Sequence, residues 1–295
     1  MQPLAVAAIQ QNGYANKTQA LNQTMDNIRI AASKGAKLIL LQELFNTLYF
    51  CQTENVEFFN LAEPIPGPTT GLLAELAKEL NVVIVASLFE KRAAGLFHNT
   101  AVVLDVNGQI AGRYRKMHIP HDPGFNEKYY FTPGDLGFTP ITTSVGKLGV
   151  LVCWDQWYPE AARLMALAGA EILLYPTAIG WGHEDSASEV RRRQMDAWMT
   201  IQRSHAIANH LPVMVANRVG MEKNPNDMNK GIKFWGNSFI SDAQGEIVAR
   251  ASASDPEILM HTLDLAQTNE LRELWPFLRD RRVDAYTGLL RRFLD

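Results

Sequence analysis

The chain reads as an α/β protein with a sheet covered by helices. Three observations predict this. Short apolar runs alternate with amphipathic helical patterns over the first ninety or so residues. The runs are apolar at consecutive positions, as in strands buried on both faces. And 47% of the 295 residues are hydrophobic, enough for a large core.

Leu4–Ile9 is a first buried strand. The spacing of Leu21, Met25, Ile28 and Ala32 predicts a helix over Asn16–Ser33, closed by Gly35. Lys37–Gln42 (KLILLQ) is a second strand, Thr69–Leu80 a helix after EPIPGP, and Val82–Ser87 a third strand. Strand–helix–strand repetition of this kind argues for an α/β layer structure. The pattern then changes. His98–Asp105 and Gln109–Tyr114 flank an Asn-Gly pair, a strong hairpin signal. Lys147–Val152 is a strand running into Cys153, followed by a helix over Pro159–Ala168. Strands at Ile172–Tyr175 and Val213–Ala216 bracket a long helix, Ser186–Asn209. Asn237–Asp242 and Glu246–Ala249 form a second hairpin. No composition break or low-complexity stretch divides the chain. One domain over 1–295 is expected, with its core at about 4–264 and a tail over about 268–295, rich in Arg and aromatics, at a subunit interface.

The formal net charge of −3 carries no basic bias, so no nucleic-acid partner is expected, and no stretch of about 18 apolar residues occurs, so no membrane partner is expected either. Two cysteines, Cys51 and Cys153, are too few for a disulfide scaffold, and the N-terminus lacks a signal-peptide pattern. The expected compartment is the cytoplasm.

Three positions combine chemistry with the end of a buried strand. Cys153 sits in KLGVLVCWDQWYPE, at a strand-to-helix elbow, where open α/β sheets bind ligands. A nearby helix N-terminus would favour its thiolate. Glu43 follows KLILLQ and is a candidate general base. Lys116 ends IAGRYRK, and a lysine fixed beside a Pro/Gly-rich loop can hold positive charge against a developing oxyanion. His118 and His121 lie close by, so a Cys/His dyad is a rival arrangement, and with Asp122 they form a weaker metal-ligand pattern. Alone, Glu43 and Lys116 are more often surface charges than catalytic groups, while for Cys153 the polar-aromatic cluster of Trp154, Asp155, Trp157 and Tyr158 at the strand end puts the catalytic reading level with that of a small apolar core residue.

LLQELF, YRKMHIP and LVCWDQWYPE, in that order, resemble the three motifs of the nitrilase superfamily, the carbon–nitrogen hydrolases. The resemblance spans roughly Leu4 to Asp264. It implies a four-layer αββα sandwich, a Glu43–Lys116–Cys153 triad, a second supporting glutamate at Glu127 (from FNEKYYFTPGD), no metal or organic cofactor, and homo-oligomers built on a dimer. NTLYFCQTEN, HIPHDPGFNEKYYFTPGD and HAIANHLPVMVANRVG are similar to the branch acting on N-carbamoylputrescine, which implies a small carbamoyl-amine substrate. One segment departs from that branch: WGHEDSASE stands where something like SEPQD is expected. Glu184, with Asp185, offers negative charge there for a distal ammonium, and Tyr49, Phe50, Trp154, Trp157 and Trp181 are candidates for an aromatic channel.

Overall fold

The computed structural model describes residues 3–295 except 183, 184 and 186. In chain order the strands and helices are β1 (Leu4–Gln10), α1 (Lys17–Ser33), β2 (Leu38–Leu41), α2 (Pro68–Leu80), β3 (Val83–Ala93), β4 (Leu96–Leu104), β5 (Ile110–Arg115), α3 (Glu127–Tyr130), β6 (Ile141–Thr143), β7 (Gly146–Val150), α4 (Pro159–Leu167), β8 (Ile172–Pro176), β9 (Gly180–Trp181), α5 (Ser188–Asn209), β10 (Val213–Ala216), β11 (Val219–Asn224), β12 (Asp227–Trp235), β13 (Phe239–Ser241), β14 (Ile247–Arg250), β15 (Glu257–Leu263) and α6 (Leu265–Leu274).

Two six-stranded sheets, ordered β15-β1-β2-β3-β4-β5 and β14-β13-β10-β8-β7-β6, pack face to face. Each has three parallel strands at its centre: β1, β2 and β3 in one, β10, β8 and β7 in the other. Val6, Ala8, Leu38 and Leu40 point inward to meet Leu148, Val150, Leu174 and Val213 of the other sheet. Their neighbours Ala7, Ile9, Ile39 and Leu41 point outward, under α1 and α2. Both faces are therefore apolar, and this is why KLILL shows no polar alternation. Helices α4 and α5 cover the outer face of the second sheet, which completes the αββα order. Asn16 caps α1 by accepting from the Gln19 N–H at 3.0 Å, and Pro68 opens α2 where a missing N–H costs nothing. No helix among the described residues is long and apolar enough to cross a membrane.

Three elements differ from the sequence reading. The hairpin β11–β12, with β9, forms a small third sheet. Its run VGMEKNPNDMNKGIKFW is mostly polar, so no strand was expected there. Strand β15 pairs antiparallel with β1 from Leu4↔Leu263 to Gln10↔Glu257 and closes the sheet edge. The run into Cys153 stops at Val150, and Cys153–Trp157 is a 3-10 turn. The tail lies across α5, with the His210 ring stacked on Phe277 at 4.5 Å and the Asn209 carbonyl accepting from Arg272 at 3.2 Å.

Candidate active site

The carboxyl ends of the parallel strands from both sheets come together at one place. Glu43 lies two residues beyond β2, Ala178 two beyond β8, and Arg218 two beyond β10. The Glu43 N–H donates to the Thr177 carbonyl at 3.3 Å, and the Thr177 N–H to the Ala216 carbonyl at 2.9 Å, so the two sheets are joined at this edge. Cys153 starts the turn after β7. Its φ of +42° is a left-handed conformation that side chains other than glycine rarely adopt. Asp155 holds this strained elbow. Its carboxylate accepts from the Val152 N–H at 2.9 Å, the Tyr114 hydroxyl at 2.8 Å and the His118 N–H at 3.0 Å. The His118 ring shares a hydrogen bond of 2.7 Å with the same carboxylate and stacks on Tyr158 at 3.7 Å. The one His of the rival dyad and metal readings that the structure places in this network thus serves Asp155.

Lys116 follows β5 directly. Its Nζ donates to Glu43 Oε1 at 2.8 Å and to Glu127 Oε2 at 2.6 Å, and all three side chains are fully buried. Asn99 donates to Glu43 Oε1 at 2.7 Å, and the Tyr49 hydroxyl donates to Glu127 Oε1 at 2.7 Å. Burial opposes the Lys116 charge, but the Glu127 and Glu43 carboxylates beside it prevail and hold its pKa well above the ordinary lysine value. Burial pushes the Glu127 carboxyl up to about 7, against the pull of Lys116 and with a push from Glu43. The Cys153 thiol is raised well above its usual value by burial and by Glu43, which together outweigh Lys116. This differs from the expectation of a helix-favoured thiolate: α4 begins only at Pro159, and burial of the sulfur favours the thiol form. Sγ lies 3.8 Å from the Ala178 carbonyl.

The sulfur opens into a cavity of about 540 Å³, with Cys153 and Glu127 among its lining residues. Trp154 and Trp157 are on its wall, with ring centroids 6.3 Å apart. Tyr49 is not on the wall: it is almost fully buried behind Glu127, so its expected place in an aromatic channel is corrected to a partner of that carboxylate. Trp181 is not on the wall either. It leans on Trp235, which is, at 5.3 Å between centroids. Glu184 lies outside the described residues, but Asp185 lines the cavity. Its Oδ2 accepts from the Gly182 N–H at 3.0 Å and its Oδ1 from Gln194 at 2.9 Å, which aim the carboxylate. The β11–β12 hairpin supplies Asn224, Lys230, Gly231 and Ile232 to the opposite wall. None of these four was singled out from the sequence, because the strand pair that carries them shows no apolar pattern.

A buried thiol on a cavity wall, with a buried carboxylate–ammonium–carboxylate chain reaching that wall through Glu127, suits acyl transfer from carbon to water. The comparisons agree with that class. The carbon–nitrogen hydrolase family model matches residues 5–273. The N-carbamoylputrescine amidase of Solanum lycopersicum is 46% identical over 265 residues, covering 89% of this chain and 87% of that protein. The citrullinase of Francisella tularensis is 42% identical over 294 residues, covering 99% and 100%. The crystal structure of a carbon–nitrogen hydrolase from Helicobacter pylori G27 matches with a TM-score of 0.96 at 52% identity, over 99% of this chain and 100% of that one. The chain belongs to the carbon–nitrogen hydrolase family and is an amidohydrolase built on its αββα sandwich.

Proposed function

We propose that Cys153 is the nucleophile, Glu43 its base, and Lys116 the oxyanion partner, and that the substrate is N-carbamoylputrescine. The observation that carries this reading is the Glu43–Lys116–Glu127 chain of 2.8 Å and 2.6 Å contacts, which reaches the cavity lined by Cys153 through Glu127. Glu43 takes the thiol proton as sulfur attacks the ureido carbonyl carbon. Lys116 Nζ and the Trp154 N–H stabilise the tetrahedral oxyanion. The C–NH2 bond breaks, Glu43 returns the proton, and ammonia leaves. Water then attacks the S-(alkylcarbamoyl) cysteine and gives its proton to Glu43. The C–S bond breaks, the thiol is restored, and the released carbamic acid loses carbon dioxide to leave the amine. Glu127 keeps Lys116 in place and orients the water.

The distal ammonium needs a carboxylate away from the sulfur. Asp185 meets that need, because its side chain is fixed by Gly182 and Gln194 and has the cavity in front of it. A charged hydrogen bond of this kind is worth about 1.5–3 kcal/mol, so Asp185→Asn should raise KM for N-carbamoylputrescine by about 10- to 100-fold. KM for N-carbamoylbutylamine, which lacks the ammonium, should hardly move. Equal effects on both substrates would remove Asp185 from recognition.

A second reading has one observation in its favour. Lys230 also lines the cavity, and a cation there would pair with the carboxylate of a ureido amino acid. Steady-state ammonia release from N-carbamoylputrescine and from citrulline, compared side by side, separates the two.

We also propose that the chain works in the cytoplasm as a homo-oligomer built through its tail. Leu274, Leu289, Leu290, Phe293 and Leu294 are all largely exposed on one subunit, and this many exposed large apolar side chains in one tail support an interface there. Sedimentation should give a dimer or a multiple of it, and truncation after Asp264 should give monomers. A monomeric full-length chain would refute this.

A further inference from the structure

The turn that presents Glu43 has a second anchor, made through its backbone carbonyls. Arg218 is fully buried. Its Nε donates to the Glu43 carbonyl at 3.2 Å, and its Nη2 to the Thr47 carbonyl at 2.9 Å and to the Leu44 carbonyl. Its Nη1 donates to Glu222 Oε1 at 2.7 Å. Glu222, on β11, in turn accepts the Tyr49 N–H on its Oε2 at 2.6 Å, and its own carbonyl accepts from Gln52 at 3.2 Å. Leu44 sits at φ +49°, so the backbone after Glu43 is bent into a conformation that it does not favour by itself. The bend turns three carbonyls toward one point. The Leu44 carbonyl also accepts from the Thr47 N–H at 3.3 Å, but left unpaired in the core the Glu43 and Thr47 carbonyls would be costly, and the fixed fork of a guanidinium serves all three at once. Packing leaves no slack around it: a Cβ at Gly13 would lie 2.2 Å from Glu222 Oε1 and 2.9 Å from Arg218 Nη1.

We infer that Arg218, with Glu222, is a positioning pair for the hydrolytic reaction: it sets the backbone that aims Glu43 at Cys153. The same pair extends to Tyr49, whose hydroxyl holds Glu127, and to the hairpin whose far end lines the cavity. One buried ion pair therefore ties both glutamates to the substrate wall. Arg218 touches neither sulfur nor substrate in this scheme, so its effect falls on kcat.

The inference rests on the reading of Glu43 as base, and Glu43→Gln is the control that tests that reading by itself. Arg218→Lys keeps the charge but not the fork. A displacement of about 1 Å in a catalytic group costs on the order of 100-fold, so kcat should fall by about that factor while KM changes by less than about threefold. Alkylation of Cys153 by iodoacetamide at neutral pH should slow in parallel, which a purely structural role would not cause in a protein of unchanged circular dichroism. The double variant Arg218→Met with Glu222→Met removes both buried charges together and guards against misfolding of the single one. It should fold and show the same loss. A folded variant with wild-type kcat and alkylation rate overturns the inference, as does a loss carried by KM alone, or failure of both variants to fold, which would leave Arg218 a scaffold residue only. If Glu43→Gln is itself fully active, the base assignment has failed and not the clamp alone.

Discussion

Replacing Cys153 with alanine is expected to reduce ammonia release to the background rate while leaving the protein folded. The first part follows from the proposed chemistry: without sulfur no acyl-enzyme forms, and the remaining groups only polarise a carbonyl that nothing attacks. Removing the nucleophile from a covalent hydrolase generally costs on the order of 10⁶-fold. The second part follows from local structure. The elbow is held through hydrogen bonds of Asp155 with Tyr114 and the Val152 N–H, and among the described residues Sγ makes only a weak hydrogen bond of 3.8 Å to the Ala178 carbonyl. Alanine at φ +42° is no more strained than cysteine. Mass spectrometry supplies the complementary readout: brief incubation with a slow carbamoyl substrate should leave a carbamoyl adduct on the wild-type protein and none on Cys153→Ala. A variant that still releases ammonia at more than a thousandth or so of the wild-type rate would sink the nucleophile assignment.

That Cys153, Glu43 and Lys116 stood out as candidates comes from where strand-like runs stop, and motif resemblance then joined them. Strand ends are marked by composition, and in an open α/β arrangement the carboxyl ends of parallel strands share one edge. LILLQ, GRYR and LGVLV each deliver one polar side chain to that edge. Glu127 has no such mark, since it opens a four-residue helix in a loop, and only motif resemblance pointed to it. Arg218 and Glu222 had no signal, because an arginine after VMVAN reads as the exposed end of a strand. Its burial depends on three carbonyls that lie more than 170 residues away in the chain, a contact that no local pattern encodes. Tyr49 failed in the opposite way. Its chemistry suited a channel wall, but the fold turned its hydroxyl to a carboxylate. Composition says what a side chain can do, and only packing says which way it faces. The αββα order was implied by resemblance and not by periodicity, for a strand that is apolar on both faces does not say whether a helix or a second sheet lies against it.

Lys116→Met should damage both rate and stability, and the two losses should depend on pH in a way that identifies the cause. Activity should fall by about 10²- to 10³-fold or more, the usual cost of one oxyanion partner. Stability should fall as well, because methionine fills the space but leaves two fully buried carboxyl groups with no cation between them. Removing one member of a buried ion pair costs about 3–5 kcal/mol when the other stays charged. Here Glu127 has an escape in taking up a proton. Glu127 is already held at about 7 by burial, with Lys116 pulling it down, and without that pull it stays protonated to higher pH. The sign then follows from linkage. An acid whose folded pKa exceeds its unfolded one binds more protons in the folded state, so its contribution is fully present below the unfolded value and is lost as pH rises through the folded value. In the wild-type protein that window runs from the ordinary glutamate value to about 7. In Lys116→Met it extends upward. The stability gap between wild type and variant should therefore be small near about pH 6 and widen toward about pH 9 in urea denaturation. The wild-type Lys116 keeps its charge throughout, its own pKa being raised well above that range. A gap that stays constant from acid to alkaline pH would mean that the lysine acts by packing, and that the ammonium is not what lets two carboxyl groups share one dry site.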